Sequence, residues 1–166
     1  MIGDSVPRRA MRRAALSLTT LLSLFAILTP QAGATTQDVD PCAGRSKGYP
    51  LLTIPASDTD GLAMDVSLKC GEQLGPGYRW GLRHIVANHA RLLAPTDWAD
   101  LQRCVELLAT NWDGALDSGT QILLHRTARD GIVWQMWVWD TSSQRGVATI
   151  FATDAQHSDR PWDSCL

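Results

Sequence analysis

From about Tyr78 onward the chain uses two rhythms of apolar residues in succession. The first is helical: Leu82, Ile85, His89, Leu92 and Leu93 recur at steps of three and four residues, the repeat of a helix with one buried face. Pro95 ends this segment at or before Ala94, because the residue preceding a proline is pushed out of helical conformation. A second stripe, Leu101, Cys104, Val105, Leu108 and Trp112, follows Thr96 or Asp97 as the helix N-cap, and "DGALDSG" then closes the helical half with turn residues. The second rhythm has period two. "TQILLHRT" (120 to 127), "GIVWQMWVWD" (131 to 140) and "GVATIFATD" (146 to 154) are rich in β-branched and aromatic residues and are separated by "ARDG" and "TSSQR". They predict an antiparallel meander of three or more strands. Two consecutive helices followed by a run of strands make an α+β domain, with the helices packed on one face of the sheet.

Upstream, residues 35 to 76 show no sustained period and read as an extended lead-in to the core at 77 to 166. Within it, "YPLLTI" is a short strand, "LAMDVSLKC" an edge strand or a turn of helix, and "GEQLGPG" a loop. The tail "AQHSDRPWDSCL" is irregular. The first 34 residues differ in kind. "PRRAMRR" is followed by the apolar run "AALSLTTLLSLFAIL", then Pro30 and the small-residue site Ala32-Gly33-Ala34, the layout of a Sec signal peptide cleaved after Ala34. The run is shorter than a bilayer-spanning helix needs, and no later segment is apolar enough to span. The expectation is one secreted, extracytoplasmic domain of 132 of the 166 residues, with no membrane contact after cleavage and enough chain for a single core.

Export changes the reading of the cysteines and of the charge. Cys42, Cys70, Cys104 and Cys165 all lie after residue 34, and an even count in an exported chain predicts two disulfides. A Cys42–Cys165 bridge closes the longest loop and removes the most unfolded-state entropy, which leaves Cys70 with Cys104; the other two pairings stay open. With Arg8, Arg9, Arg12, Arg13 and Asp4 gone, 11 of the 15 basic and 16 of the 17 acidic residues remain, a net charge near −5. Such a domain is not steered toward polyanions as a whole, so any site for nucleic acid must be locally positive.

The stretch "GYRWGLRHIVANHARLLAP" holds two of the four histidines, His84 and His89. Five residues place them about 140° apart on a helix. His89 aligns with Leu82, Ile85 and Leu92 and reads as a packing histidine. His84 shares a stripe with Trp80, Asn88 and Arg91, a face able to hold an oxyanion and exchange a proton near neutral pH. His125 lies on the first meander strand with Leu123 and Thr127, while Arg126 points to the other face. His157 sits in the tail. Alternation puts Trp137 and Trp139 on one face of their strand and Trp134 on the other, so part of this group belongs to the core.

Several chemistries find no support in the sequence. His84 and His89 lack the four-residue spacing of paired helix ligands, and neither His-Glu-x-x-His nor Cys-x-x-Cys occurs, so no metal or cofactor is expected. There is no Gly-x-Ser-x-Gly nucleophile elbow, and scattered acids do not define a glycosidase pair.

"WGLRHIVANHA" resembles the Gly-Leu-x-His-Ile-x-x-x-His segment that opens the core of bacterial toxin nucleases in the barnase, EndoU, colicin and RelE-like (BECR-fold) group, which includes RNase domains of contact-dependent inhibition toxins. "RGVATIFATD" is similar to that group's late strand, where a Thr is followed two residues later by an aromatic, here Thr149 and Phe151. The resemblance covers residues 77 to 154. It implies metal-independent RNA cleavage by attack of the 2′-hydroxyl on the adjacent phosphate, giving a 2′,3′-cyclic phosphate. It also implies His84 as acid or base, Thr149 as a hydroxyl donor to phosphate, and an arginine on the developing oxyanion: Arg91 first, then Arg83, Arg126 or Arg145. Phe151 lacks the phenol of the tyrosine often found there, so the proton for the leaving oxygen falls to His89 or His125. Trp80, Asn88, His89, His125 and Phe151 are the expected substrate-binding residues, RNA the substrate, and an immunity or inhibitor protein the partner. The competing expectation is a non-enzymatic exported module that binds or inhibits through the tryptophan-rich sheet. Fold alone does not choose between them.

Overall fold

The computed structural model describes residues 39–73, 79–154 and 160–166. The expected leader and His157 lie outside them. The described chain is α+β with two helices, antiparallel sheets and two disulfides. No described helix is long and apolar enough to cross a membrane.

The lead-in is more ordered than its composition suggests. β1 (Pro50–Ile54) pairs antiparallel with β2 (Val66–Lys69) in a two-stranded sheet of its own. Val66 and Leu68 point into the core, while Ser67 and Lys69 alternate outward. "DVSLKC" is therefore a strand and not a helical turn.

Helix α1 (Gly81–Asn88) is shorter than the apolar steps predict. Beyond His89 the chain is extended, with Ala90 and Leu92 buried and Leu93 54% exposed. A helix continuing to Ala94 would instead turn Leu93 inward. Leu92 is held in the extended segment by the Val39 N–H, which donates to its carbonyl at 3.1 Å. Pro95 does not merely stop α1; it opens α2 (Pro95–Thr110) at the first helical position, where its missing N–H costs nothing and its φ is already helical. The cap also differs from expectation. Ala94 is the N-cap residue, and the Asp97 carboxylate reaches back to accept from the Leu93 and Ala94 N–H groups at 2.6 and 2.7 Å.

Four strands form the second sheet, in the order β3 (Gly114–Asp117), β4 (Gln121–Thr127), β5 (Val133–Trp139), β6 (Val147–Ala152). "GALD", read as turn, is thus an added edge strand, its residues registered against His125, Leu124, Leu123 and Ile122. One face of the sheet is core. Leu124, Trp134, Met136, Val138, Ile150 and Ala152 join Leu82 and Ile85 of α1 and Leu101, Val105 and Leu108 of α2 in one buried cluster. The alternation expected for β5 follows: Trp134 is buried, Trp137 and Trp139 are half-buried on the other side.

The disulfides correct the pairing argued from loop length. Cys42 bonds Cys70 and Cys104 bonds Cys165. The first ties the lead-in to the end of β2. The second fastens α2 to a closing 3-10 turn, Trp162–Cys165, whose Trp162 ring lies 5.6 Å from that of Trp134.

Candidate active site

The outer face of the four-stranded sheet carries two rows of side chains in register. One runs His125, Gln135, Phe151, and the other Leu116, Leu123, Trp137, Thr149. Apart from Leu116, which is 60% exposed, all are half-buried, and none belongs to the core cluster. At the β6 edge the first row continues onto α1. The His89 ring stacks on Phe151 with centroids 4.9 Å apart, and His84 meets His89 edge-on at 5.4 Å.

His84 is held by a small amide network. Its Nδ1 lies 3.0 Å from Gln73 Oε1, and Asn88 Nδ2 donates to that same oxygen at 3.1 Å and to the His84 carbonyl at 2.8 Å. Asn88 Nδ2 also lies 3.1 Å from His84 Nδ1. Both amide protons of Asn88 have carbonyl acceptors, so the arrangement is satisfied throughout when Nδ1 carries the proton and donates to Gln73. Nε2, which takes no part in the network, then holds the lone pair. Burial, and secondly the nearby Arg79 guanidinium, keep the imidazole pKa below its ordinary value. His84 is therefore neutral at pH 7, with one nitrogen anchored and the other able to accept a proton.

His89 lies at the boundary of the core, its ring packed on Phe151 of β6. It is the C-cap of α1, half-buried, and its N–H donates to the Ile85 carbonyl at 2.9 Å. Because the helix stops at Asn88, Arg91 is not on the His84 stripe. It is exposed in the extended segment, where it lines a cleft of about 620 Å³ together with Asn88, His89, Asp97 and Arg160. Arg160 in this cleft is paired with Asp154 at 2.6 Å and Asp130 at 3.0 Å. Trp80 is also corrected: at 6% exposure it packs inside, its backbone bridged to Glu72, and its ring is not presented to a ligand.

The other arginines separate by their partners. Arg83 donates to the Gly71, Cys42 and Arg45 carbonyls at 3.0, 3.0 and 2.8 Å, and so fastens α1 to the lead-in. Arg126 has the parity of Leu124 and faces away from His125, and Arg145 covers the Trp139 ring at 4.7 Å. Arg79 is close enough to act on the His84 charge, and the helical stripe missed it because it lies two residues before α1. Gln73, too, carries no sequence signal, since only the fold brings "GEQ" against the helix.

Thr149 shares the outward parity of Phe151, on which His89 stacks, and His89 in turn meets His84 edge-on. The Thr149 hydroxyl is covered and takes no hydrogen bond from a described residue. His125 stands two strands from Phe151, about 10 Å at the usual strand spacing. Among the described residues no three His, Cys, Asp or Glu side chains gather as a metal-binding group. No family model matches the chain, and no curated protein and no solved structure is significantly similar to it.

Proposed function

We propose that the domain is an extracytoplasmic, toxin-like endoribonuclease that cleaves RNA without a metal, leaving a 2′,3′-cyclic phosphate. The observation that carries this reading is His84, anchored through Nδ1 with Nε2 engaged by no described residue, beside a second imidazole 5.4 Å away at the rim of an aromatic-lined sheet face. The order helix, helix, antiparallel meander supports the BECR-like fold.

His84 Nε2 takes the 2′-hydroxyl proton as that oxygen attacks phosphorus. The bond from phosphorus to the 5′-oxygen breaks, and His89 delivers the proton to the departing oxygen. His125, about two strands from Phe151, is too distant to share that phosphate. Arg79, and Arg91 from the adjoining cleft, supply positive charge to the phosphate oxygens. They also supply the local positive field that an acidic domain needs to hold a polyanion.

The test is incubation of the oxidised protein with total RNA in EDTA, beside His84→Ala. Cleavage with cyclic-phosphate ends in the wild type and its loss in the variant is the expected result. Intact RNA at high protein concentration refutes it and selects a second reading, a binding or inhibitor module. That reading is favoured by the apolar row of Leu116, Leu123 and Trp137 on the same face.

A further inference from the structure

We infer that the cleft beside His89 is the subsite for the nucleotide that follows the scissile bond, its nucleoside lying against the apolar wall and its 3′-phosphate paired with Arg91. The inference rests on the ribonuclease reading and fixes the direction in which the RNA strand runs past the two histidines.

Three observations carry it. First, the cleft opens next to the acid and not next to the base. Its walls include His89 and Asn88 but not His84, although Asn88 donates to the His84 carbonyl at 2.8 Å and the two imidazoles meet at 5.4 Å. In the displacement at phosphorus the attacking 2′-oxygen and the departing 5′-oxygen stand roughly in line, on opposite sides. With His84 serving the first oxygen and His89 the second, the space beyond His89 receives what the 5′-oxygen carries, the leaving nucleoside.

Second, the cleft has the size and lining for that group. At about 620 Å³ it lies within the range of small-molecule sites, and Val86, Ala87, Leu93 and Pro161 give it an apolar wall for a base and ribose. Third, its cationic groups are not equivalent. Arg160 is balanced by Asp154 at 2.6 Å and Asp130 at 3.0 Å. The Leu93 and Ala94 N–H groups at the start of α2 are taken by Asp97. Arg91 is exposed and makes no hydrogen bond or ion pair with a described residue. Asp97 lines the same cleft, so the uncompensated positive charge is confined to Arg91. Its guanidinium is therefore the group open to a second phosphate, which it can hold bidentately.

The experiment measures kcat/KM for three dinucleotides on the oxidised protein in EDTA, with total RNA as the parallel substrate: UpU, UpUp with an added 3′-phosphate, and pUpU with an added 5′-phosphate. The 3′-phosphate is expected to raise kcat/KM about tenfold over UpU, and the 5′-phosphate to add little. Arg91→Ala should bring UpUp down to the level of UpU in the same variant. Arg91→Lys, which keeps a point charge without the bidentate fork, should retain part of the gain. Circular dichroism checks that each variant folds. A 3′-phosphate gain that survives in folded Arg91→Ala, or a larger gain from the 5′-phosphate, overturns the assignment. Total RNA cleaved while the three dinucleotides react alike or not at all overturns the subsite and leaves the nuclease reading standing. Total RNA left intact removes both.

Discussion

At His84 the amide network and the local charge act in one direction on the proton. Burial and Arg79 both disfavour the imidazolium, so the acid limb of the kcat/KM profile for RNA cleavage is expected below pH 6.5. Arg79→Ala removes one of the two causes and should move that limb upward, toward 6.5. A limb already at or above 6.5 in the wild type would count against His84 as the base. The same shift has a stability consequence. Since the folded pKa lies below the unfolded one, the unfolded chain binds the proton more readily. The contribution of His84 is then fully present above pH 6.5 and is lost as pH falls through its lowered folded value. Urea midpoints measured between pH 7 and pH 5 should fall for the wild type, and fall less for His84→Gln.

Helix α1 owes its position to a crossing of two glycines. Gly71 and Gly81 both have positive φ, and a Cβ on Gly81 would sit 2.6 Å from the Lys69 carbonyl oxygen and 2.7 Å from Gly71 Cα. These are backbone atoms with no room to move aside. Gly81→Ala is expected to destabilise the fold by about 2 kcal/mol or more, read from urea unfolding, and to reduce cleavage even where folded protein remains, because α1 carries His84. This crossing is also where the sequence becomes hard to read. Leu82, Ile85 and Leu92 satisfy helical steps, yet Ala90 and Leu92 equally satisfy the period-two pattern that the extended segment follows. A short apolar run fits both periods, and the choice between them is made by the Val39–Leu92 hydrogen bond, a contact distant in sequence. β4, β5 and β6 were legible because each is rich in β-branched, aromatic or other apolar residues and bounded by turn residues, and β5 alternates strictly between half-buried and buried positions. β3 was not, since "GALD" resembles a turn until His125 and its neighbours offer it a ladder. Within the site, the pairing of His84 with Asn88 followed from helical spacing, whereas Gln73 and Arg79 are brought to it only by tertiary structure.

Over the whole molecule, the disulfides show why loop length is a weak guide to pairing. The entropy of closing a loop grows only with its logarithm, about 0.6 kcal/mol per doubling, so proximity in the folded chain decides. The observed bridges span 28 and 61 residues, which corresponds to about 3.6 and about 4.3 kcal/mol in the chain-entropy treatment. Removing Cys104–Cys165 with paired alanines should therefore lower stability somewhat more than removing Cys42–Cys70, as measured by urea unfolding. Activity should respond in the opposite order. Cys104–Cys165 anchors α2 and Trp162 on the core side of the sheet, remote from the outer face. Cys42–Cys70 fixes the backbone whose carbonyls at Cys42 and Gly71 receive Arg83, the residue immediately before His84. Opening that bridge loosens the segment that orients α1 and carries Gln73 to the imidazole. The Cys42→Ala/Cys70→Ala protein is expected to lose more kcat/KM for RNA, assayed where both variants remain folded. Equal losses, or a larger loss for Cys104→Ala/Cys165→Ala, would separate the lead-in from the placement of His84.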